Sequence, residues 1–246
     1  MTRTALVTGA SRGLGECIAR RLHGAGYRVA LADVRLDDAQ RLADELDPSG
    51  ASALALELDV REKADFERAR DLLQQQWGGC DILVNNAGVS KVASLMDISP
   101  EDFDASMAVN LRGTFVACQV FGAHFASRGF GRIVNIASLA GQNGGTATGG
   151  HYAAAKGGVA TLTKVFAREL APAGVTVNSI SPGPLDLPVV RETVAPERLE
   201  QILKTSPVGR LGDPDYVADS VLLLVADNAT SVTGACWDIN GGLFMR

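Results

Sequence analysis

The sequence predicts an α/β fold in which a doubly wound parallel β-sheet carries helices on both faces. Seven short β-rich runs, at residues 4–8, 28–32, 53–58, 81–85, 132–137, 175–180 and 235–239, alternate with longer helix-like stretches. That order is expected of βαβ units joined by crossover connections. The first five or six runs are nearly continuous apolar sequence rather than apolar-polar alternation, which is how strands buried on both faces of a parallel sheet read. No linker, low-complexity segment or internal repeat interrupts the alternation, so residues 1–246 are read as a single domain.

The elements follow in order. The first run ends in Thr8-Gly9-Ala10-Ser11-Arg12-Gly13-Leu14-Gly15, and a helical stretch through Ile18, Leu22 and Ala25 comes next. Glycines between a strand and a helix let the backbone turn sharply and approach a pyrophosphate, which the free N–H groups of the helix N-terminus favour. A dinucleotide site is therefore expected here, with the spacing Gly-x-x-x-Gly-x-Gly rather than Gly-x-Gly-x-x-Gly, in a Rossmann-type fold. The second run leads to Asp33. A carboxylate there accepts hydrogen bonds from ribose hydroxyls and repels a 2′-phosphate, so NAD is the expected cofactor. Arg12 and Arg35 could pair with that phosphate and keep NADP as the lesser alternative.

A helix over residues 99–127 opens with Ser99-Pro100-Glu101-Asp102: a capping serine, proline in the first turn and early acids. The glycine-rich segment 141–150 and the segment 182–188 both follow predicted strands, and loops leaving the carboxyl ends of strands build the ligand site in such sheets. Between them stands His151-Tyr152-Ala153-Ala154-Ala155-Lys156. On a helix, Tyr152 and Lys156 share a face. Bringing a phenol from a pKa of about 10 to about 7 takes on the order of 4 kcal/mol, and a neighbouring ammonium supplies part of it. The substrate loop region, about residues 184–210, contains a stretch at 189–207 that fits a mobile lid and an ordinary surface helix equally well.

Composition narrows the function classes. Apolar residues are 46%, charged residues 21% and the formal net charge is −5, with no basic run. Nucleic-acid and anionic-membrane partners, which need clustered Lys and Arg, are not expected. The apolar runs are too short to span a bilayer, and the start of the chain lacks the order of regions an export signal needs, so a cytoplasmic location is expected. Cys17, Cys80, Cys118 and Cys236 lack metal-ligand or disulfide spacing and are read as four buried thiols, with no metal site.

Taken together these residues resemble the short-chain dehydrogenase/reductase superfamily, from the first strand to the last. The resemblance implies that Gly9, Ser11, Arg12, Gly13, Leu14 and Gly15 form the cofactor loop. It implies that Asp59 and Val60 contact adenine, and that Asn86, Ala87 and Gly88, after Asn85, border the cofactor. It also implies that Asn110 kinks its helix and holds a water of a proton relay, that Ser138 polarises the substrate carbonyl, and that Tyr152 and Lys156 are the catalytic pair. Pro182 and Gly183 would lead into the nicotinamide end, with Leu185 supplying backbone contacts. The implied reaction is hydride transfer between a nicotinamide and a secondary alcohol or ketone, with Tyr152 as acid/base and Lys156 lowering its pKa.

Two departures stand out. Ser138 and Tyr152 are 152 − 138 = 14 positions apart, one more than is common in the family, with the surplus in residues 144–150. Leu187 stands where the family usually has a threonine for the nicotinamide carboxamide. Gln142 and Asn143 are expected to touch substrate, whereas His151, about 100° round the helix from Tyr152, is expected to face elsewhere. A rival substrate class is a 3-oxoacyl thioester on a carrier protein, taken with NADPH. Its docking would need a basic patch, for which Arg128, Arg132 and Lys91 are the candidates. A non-catalytic dinucleotide sensor is the remote alternative. The resemblance also implies a homotetramer, with Leu111, Phe115, Val116 and Phe121 compatible with its apolar interface.

Overall fold

The computed structural model describes residues 2–145, 148–194 and 196–246. All seven runs form strands: β1 (Thr4–Thr8), β2 (Arg28–Asp33), β3 (Ala53–Glu57), β4 (Ile82–Asn85), β5 (Gly131–Ile136), β6 (Val175–Pro182) and β7 (Cys236–Ile239). They lie parallel in one sheet in the order β3-β2-β1-β4-β5-β6-β7. Both faces are covered. Ala5, Val7, Val29 and Leu31 point into one apolar cluster with α1 (Gly13–Gly24), α2 (Leu36–Leu46) and α10 (Pro214–Val225). Leu6, Ala30 and Ala32, their neighbours along the same strands, enter the other with α3 (Lys63–Trp77), α5 (Gly113–Arg128) and α7 (Gly150–Leu170). The doubled burial is why the strands read as continuous apolar runs.

The helix expected over 99–127 is capped as its sequence indicates, with Ser99 Oγ accepting from Asp102 N at 3.0 Å. It runs as α4 (Pro100–Met107), a π-helical turn (Ala108–Arg112) and then α5. Asn110 sits in the π turn, the kind of local widening that bends helices at functional positions. Two short helices, α8 (Pro188–Thr193) and α9 (Pro196–Thr205), occupy the segment open to lid or surface helix.

Buried polar groups tie the layers together. Asn85 and Asn135 are register partners on β4 and β5. Asn85 Nδ2 donates to Asn135 Oδ1 (2.8 Å), Asn135 Nδ2 donates to Thr163 Oγ1 on α7 (2.9 Å), and Thr163 Oγ1 donates to Val159 O (2.9 Å). Arg132 is also buried, its guanidinium shared among the carbonyls of Gly131, Gly174, Ala226 and Asp227 and stacked 4.4 Å from the Phe130 ring centroid. This removes it from the surface patch anticipated for a carrier protein.

Two further expectations are corrected. Phe121 lies in the core among Ala117, Phe125 and Leu73 and is not on an outer face. Of the cysteines only Cys80 and Cys118 are buried, their thiols pushed up to about 12 by burial, while Cys17 and Cys236 are partly exposed. Among the described residues no helix is long and apolar enough to cross a membrane.

Replacing Asn135 with valine strips partners from two buried side chains. It is expected to lower stability by roughly 2–4 kcal/mol, since each buried group left unsatisfied costs about 1–3. Urea unfolding with an unchanged m-value is the check, and a loss below about 1 kcal/mol would show that Asn85 and Thr163 find other partners.

Candidate active site

β1 has β2 on one side and β4 on the other, so the crossovers diverge there and a crevice opens at the carboxyl ends of both strands. The loops entering that crevice are clamped together. Asn86 Nδ2 donates to Thr8 O (3.0 Å) and Gly9 O (3.1 Å), and the amides of Asn86 and Ala87 both donate to Thr8 Oγ1 (3.0 and 3.1 Å). Gly9 has φ +62°, and a Cβ on Gly15 would fall 2.1 Å from Gly9 O, so α1 can approach β1 this closely only with glycine there. Arg12 occupies the N-cap of α1 without a side-chain hydrogen bond. The first-turn amides at Gly13, Leu14 and Gly15 therefore have no side-chain acceptor, and this end of the helix suits the pyrophosphate of a dinucleotide.

Asp33 lies at the rim of the crevice, buried. Its carboxylate accepts from Ser11 N (3.1 Å) and Arg35 N (3.0 Å), which fixes its direction and leaves lone pairs for further donors. Arg35 folds back over it, with Nη2 donating to Ser11 Oγ at 2.7 Å. Arg12 is exposed. Asp59 spends its carboxylate on Arg61, whose guanidinium holds it below the usual carboxylate range, and Val60 packs against the second core cluster.

Ser138 follows β5, and Tyr152 and Lys156 stand on the first turns of α7. The three meet. Burial pushes the Tyr152 phenol above its ordinary pKa, and a hydrogen bond with Ser138 draws it part of the way back. Lys156 is buried, with Nζ donating to Ile136 O at 2.7 Å and lying 5.7 Å from the Tyr152 ring centroid. Burial lowers its pKa to about 8. The ammonium is aimed at a carbonyl, and Ser138 is the group that favours the phenolate.

Asn110 is fully buried, and both polar atoms of its side chain are bound. Nδ2 donates to Val89 O (2.9 Å), Ser106 O (3.0 Å) and Ser106 Oγ (3.1 Å), and Oδ1 accepts from Val89 N (3.0 Å). This holds the chain just after Gly88 against the π turn.

At the other end, Gly183 N donates to Ile239 O (2.8 Å), so the turn after Pro182 is fastened to β7. Leu185 is buried and bridges to Gly212. Leu187 packs against the first core cluster, which explains an apolar residue where a hydroxyl was expected. Gln142 and Asn143 lie on the short helix α6 (Ala140–Asn143). Asn143 is exposed and accepts from Gly145 N (2.9 Å), whereas Gln142 gives its amide to Asp238 on β7 (2.5 Å). His151 is buried, its ring so close to Gly149 that a Cβ there would fall 2.2 Å from His151 Cε1. Thr146 and Ala147, part of the segment carrying the surplus residue, lie outside the described residues.

Residues 9–244 match the family model described as enoyl-(acyl carrier protein) reductase. An uncharacterised short-chain type dehydrogenase/reductase of Sinorhizobium fredii is 36% identical over 248 residues, covering 99% of this chain and 98% of that protein. Acetoacetyl-CoA reductase of Shinella zoogloeoides is 38% identical over 246 residues, covering 99% of each. A crystal structure from Agrobacterium tumefaciens, described as a candidate gluconate dehydrogenase, superposes with a TM-score of 0.92 at 32% identity, covering 98% of this chain and 95% of that one. With a seven-stranded parallel Rossmann-type sheet and these relatives along its whole length, the chain belongs to the short-chain dehydrogenase/reductase superfamily of oxidoreductases.

Proposed function

We propose that the protein interconverts a secondary alcohol and a ketone, with NAD(H) preferred over NADP(H). The observation that carries this is the gathering of the Ser138 hydroxyl, the Tyr152 phenol and buried Lys156 at the carboxyl end of β5. A bound nicotinamide dinucleotide would supply the hydride chemistry. Gly9, Ser11, Arg12, Gly13, Leu14 and Gly15 would hold its pyrophosphate, Asp33 its adenosine ribose, Asp59 and Val60 the adenine, and Asn86, Ala87 and Gly88 the near wall. Pro182, Gly183 and Leu185 would hold its far end.

Tyr152 takes the proton from an alcohol oxygen or returns it to a developing alkoxide. Ser138 donates to that same oxygen where negative charge grows. Lys156, held on Ile136 O, keeps further N–H donors for the cofactor ribose. Asn110, by its place in the π turn, would connect this lysine to solvent through water.

The preference for NAD rests on Asp33, whose orientation at the rim would set a 2′-phosphate against a carboxylate. The acetoacetyl-CoA reductase relative favours a second reading, a 3-oxoacyl thioester substrate. The carrier-protein form of that reading loses its basic patch: Arg132 is buried, Arg128 is bound to Gly78 O and Asp81, and Lys91 to Asp102. A homotetramer remains our proposal for the assembly. Exposed Phe115 pairs its ring with Phe166, 5.8 Å between centroids, Val165 next to Phe166 in the chain is exposed, and Leu111 and Val116 are half-buried near Phe115 in the chain.

Steady-state comparison of NAD with NADP over a panel of secondary alcohols, ketones and 3-oxoacyl thioesters tests the proposal. NAD is expected to lead by at least about tenfold, equivalent to about 1.4 kcal/mol. Asp33→Ala should narrow that gap, and Tyr152→Phe should abolish turnover. NADP leading on a thioester would overturn the reading in favour of the second, and an unchanged biological effect of Tyr152→Phe would point to a sensor.

The depressed Lys156 pKa sets a second expectation. Between about 8 and the ordinary 10.5 the unfolded chain binds more protons at this group than the folded one, so its contribution to stability rises with pH across that window. Below pH 8 the full cost of the buried ammonium is present. Relative to Lys156→Met, the wild type should therefore gain up to ~3 kcal/mol between pH 8 and 10.5, read by urea unfolding. A difference that stays flat would mean the ammonium is better solvated than its burial implies.

A further inference from the structure

The one-turn helix α6, which follows Ser138, is held from two sides. Gly141 rests on the backbone of α7, where a Cβ would come within 2.5 Å of Gly157 N and the carbonyl carbon of Lys156. Gln142 leaves toward β7 and donates Nε2 to Asp238 Oδ1 at 2.5 Å. Its contact with Cys236 Sγ is long at 3.9 Å, and its Oε1 is buried without a partner among the described residues. Exchanging the amide nitrogen and oxygen would set two acceptors against each other, so the carboxylate fixes which way Gln142 points.

Asp238 is held in turn by Arg246, with Nε to Oδ2 at 2.8 Å, Nη2 to Oδ1 at 3.1 Å, and Nη2 also reaching Cys236 O at 2.9 Å. A bidentate guanidinium–carboxylate pair fixes direction as well as distance. Ser138 belongs to the same turn. Its Oγ accepts from Ala140 N (3.1 Å), its carbonyl accepts from Gly141 N (3.0 Å), and Leu139 N donates to Pro182 O (3.0 Å). A displacement of α6 is therefore a displacement of Ser138.

We propose that Asp238 is a positioning residue for the reaction: through Gln142 and α6 it holds Ser138 against Tyr152, and Arg246 fixes its carboxylate. This rests on the roles of Ser138 and Tyr152 proposed above. It also gives Gln142 a task other than touching substrate. Lys156, from the same helix, lies 5.7 Å from the Tyr152 ring centroid, and Ser138, from the α6 side, draws the phenol toward its ionised form. Of these only the Ser138 bond depends on α6.

The test compares Asp238→Ala, Asp238→Asn, Gln142→Met and Arg246→Ala by near-ultraviolet titration of the dinucleotide-free protein, with Tyr152→Phe as the blank, and by steady-state oxidation of the best alcohol in the panel. Loosening Ser138 removes the bond that favours the phenolate, so the Tyr152 titration moves to higher pH in Asp238→Ala and Gln142→Met. In the same variants kcat falls roughly 10- to 100-fold, the scale of an ångström of misplacement, while KM for the dinucleotide stays within about twofold. Asp238→Asn keeps an acceptor for the Gln142 amide and recovers most of kcat, and Arg246→Ala shows the same directions at smaller size. Gln142→Met keeps the bulk of the side chain and carries the test if Asp238→Ala does not fold. An unmoved Tyr152 titration in Gln142→Met overturns the proposal, as does a lower melting temperature with titration and kcat intact. Full turnover by Tyr152→Phe alongside a shifted titration would instead sink the acid/base reading and leave the positioning of Ser138 standing.

Discussion

At the centre of the sheet, direction comes from Asn85, Asn135 and Thr163. Apolar contacts on either face can slide by small amounts at little cost, whereas a chain of buried hydrogen bonds from β4 through β5 to α7 has one register in which every member is satisfied. That register decides how far α7 advances along the sheet. The axial position of α7 places Tyr152 and Lys156 relative to the carboxyl end of β5, where Ser138 emerges. Lys156 then closes the same arrangement one residue further along β5 by donating to Ile136 O. The catalytic helix is thus pinned twice, at Thr163 and at Lys156, with two turns of helix between.

The crevice side obeys a similar logic with backbone acceptors. Thr8 Oγ1 collects two amides of the Asn86-Ala87 segment, and Asn110 collects both backbone groups of Val89. The strand that leaves β4 is therefore fixed at its start by the glycine loop and beyond Gly88 by the π turn. A loop so fastened can border a ligand without losing shape when the ligand leaves. Rigid placement of polar groups before the reaction is what makes them effective in it.

Much of this was legible in the sequence, and the reasons are physical. Parallel strands buried on both faces write their extent as continuous apolar runs, so the strand ends matched to within a residue or two. Glycines forced by close approach, a proline-marked cap and a Tyr-x-x-x-Lys spacing are local signals that survive without coordinates. What could not be read depends on which elements cross. Arg132 reads as a surface charge until four carbonyls are seen to surround it. Phe121 reads as one more apolar residue on a helix with little polarity to orient it, and the Gln142 amide is claimed by Asp238, 96 positions away. Asn135 and Asn85 did leave a trace, as polar residues inside apolar strands, since a buried amide in such a run must have a partner.

The electrostatics of the pair sharpen what the site must do. Burial raises the Tyr152 phenol and lowers the Lys156 ammonium, so both are driven toward their neutral forms. A phenolate beside an ammonium is the charge pattern that alcohol oxidation calls for, and desolvation opposes each half of it. Reduction needs only the phenol, which burial supplies. The two directions therefore place unequal demands on the surroundings of Tyr152. Any group that favours phenolate weighs most on oxidation, and in this structure that group is the Ser138 hydroxyl. The orientation of one serine, set by α6 and the strand beside it, thereby bears on the balance between the two directions of the reaction as well as on its rate.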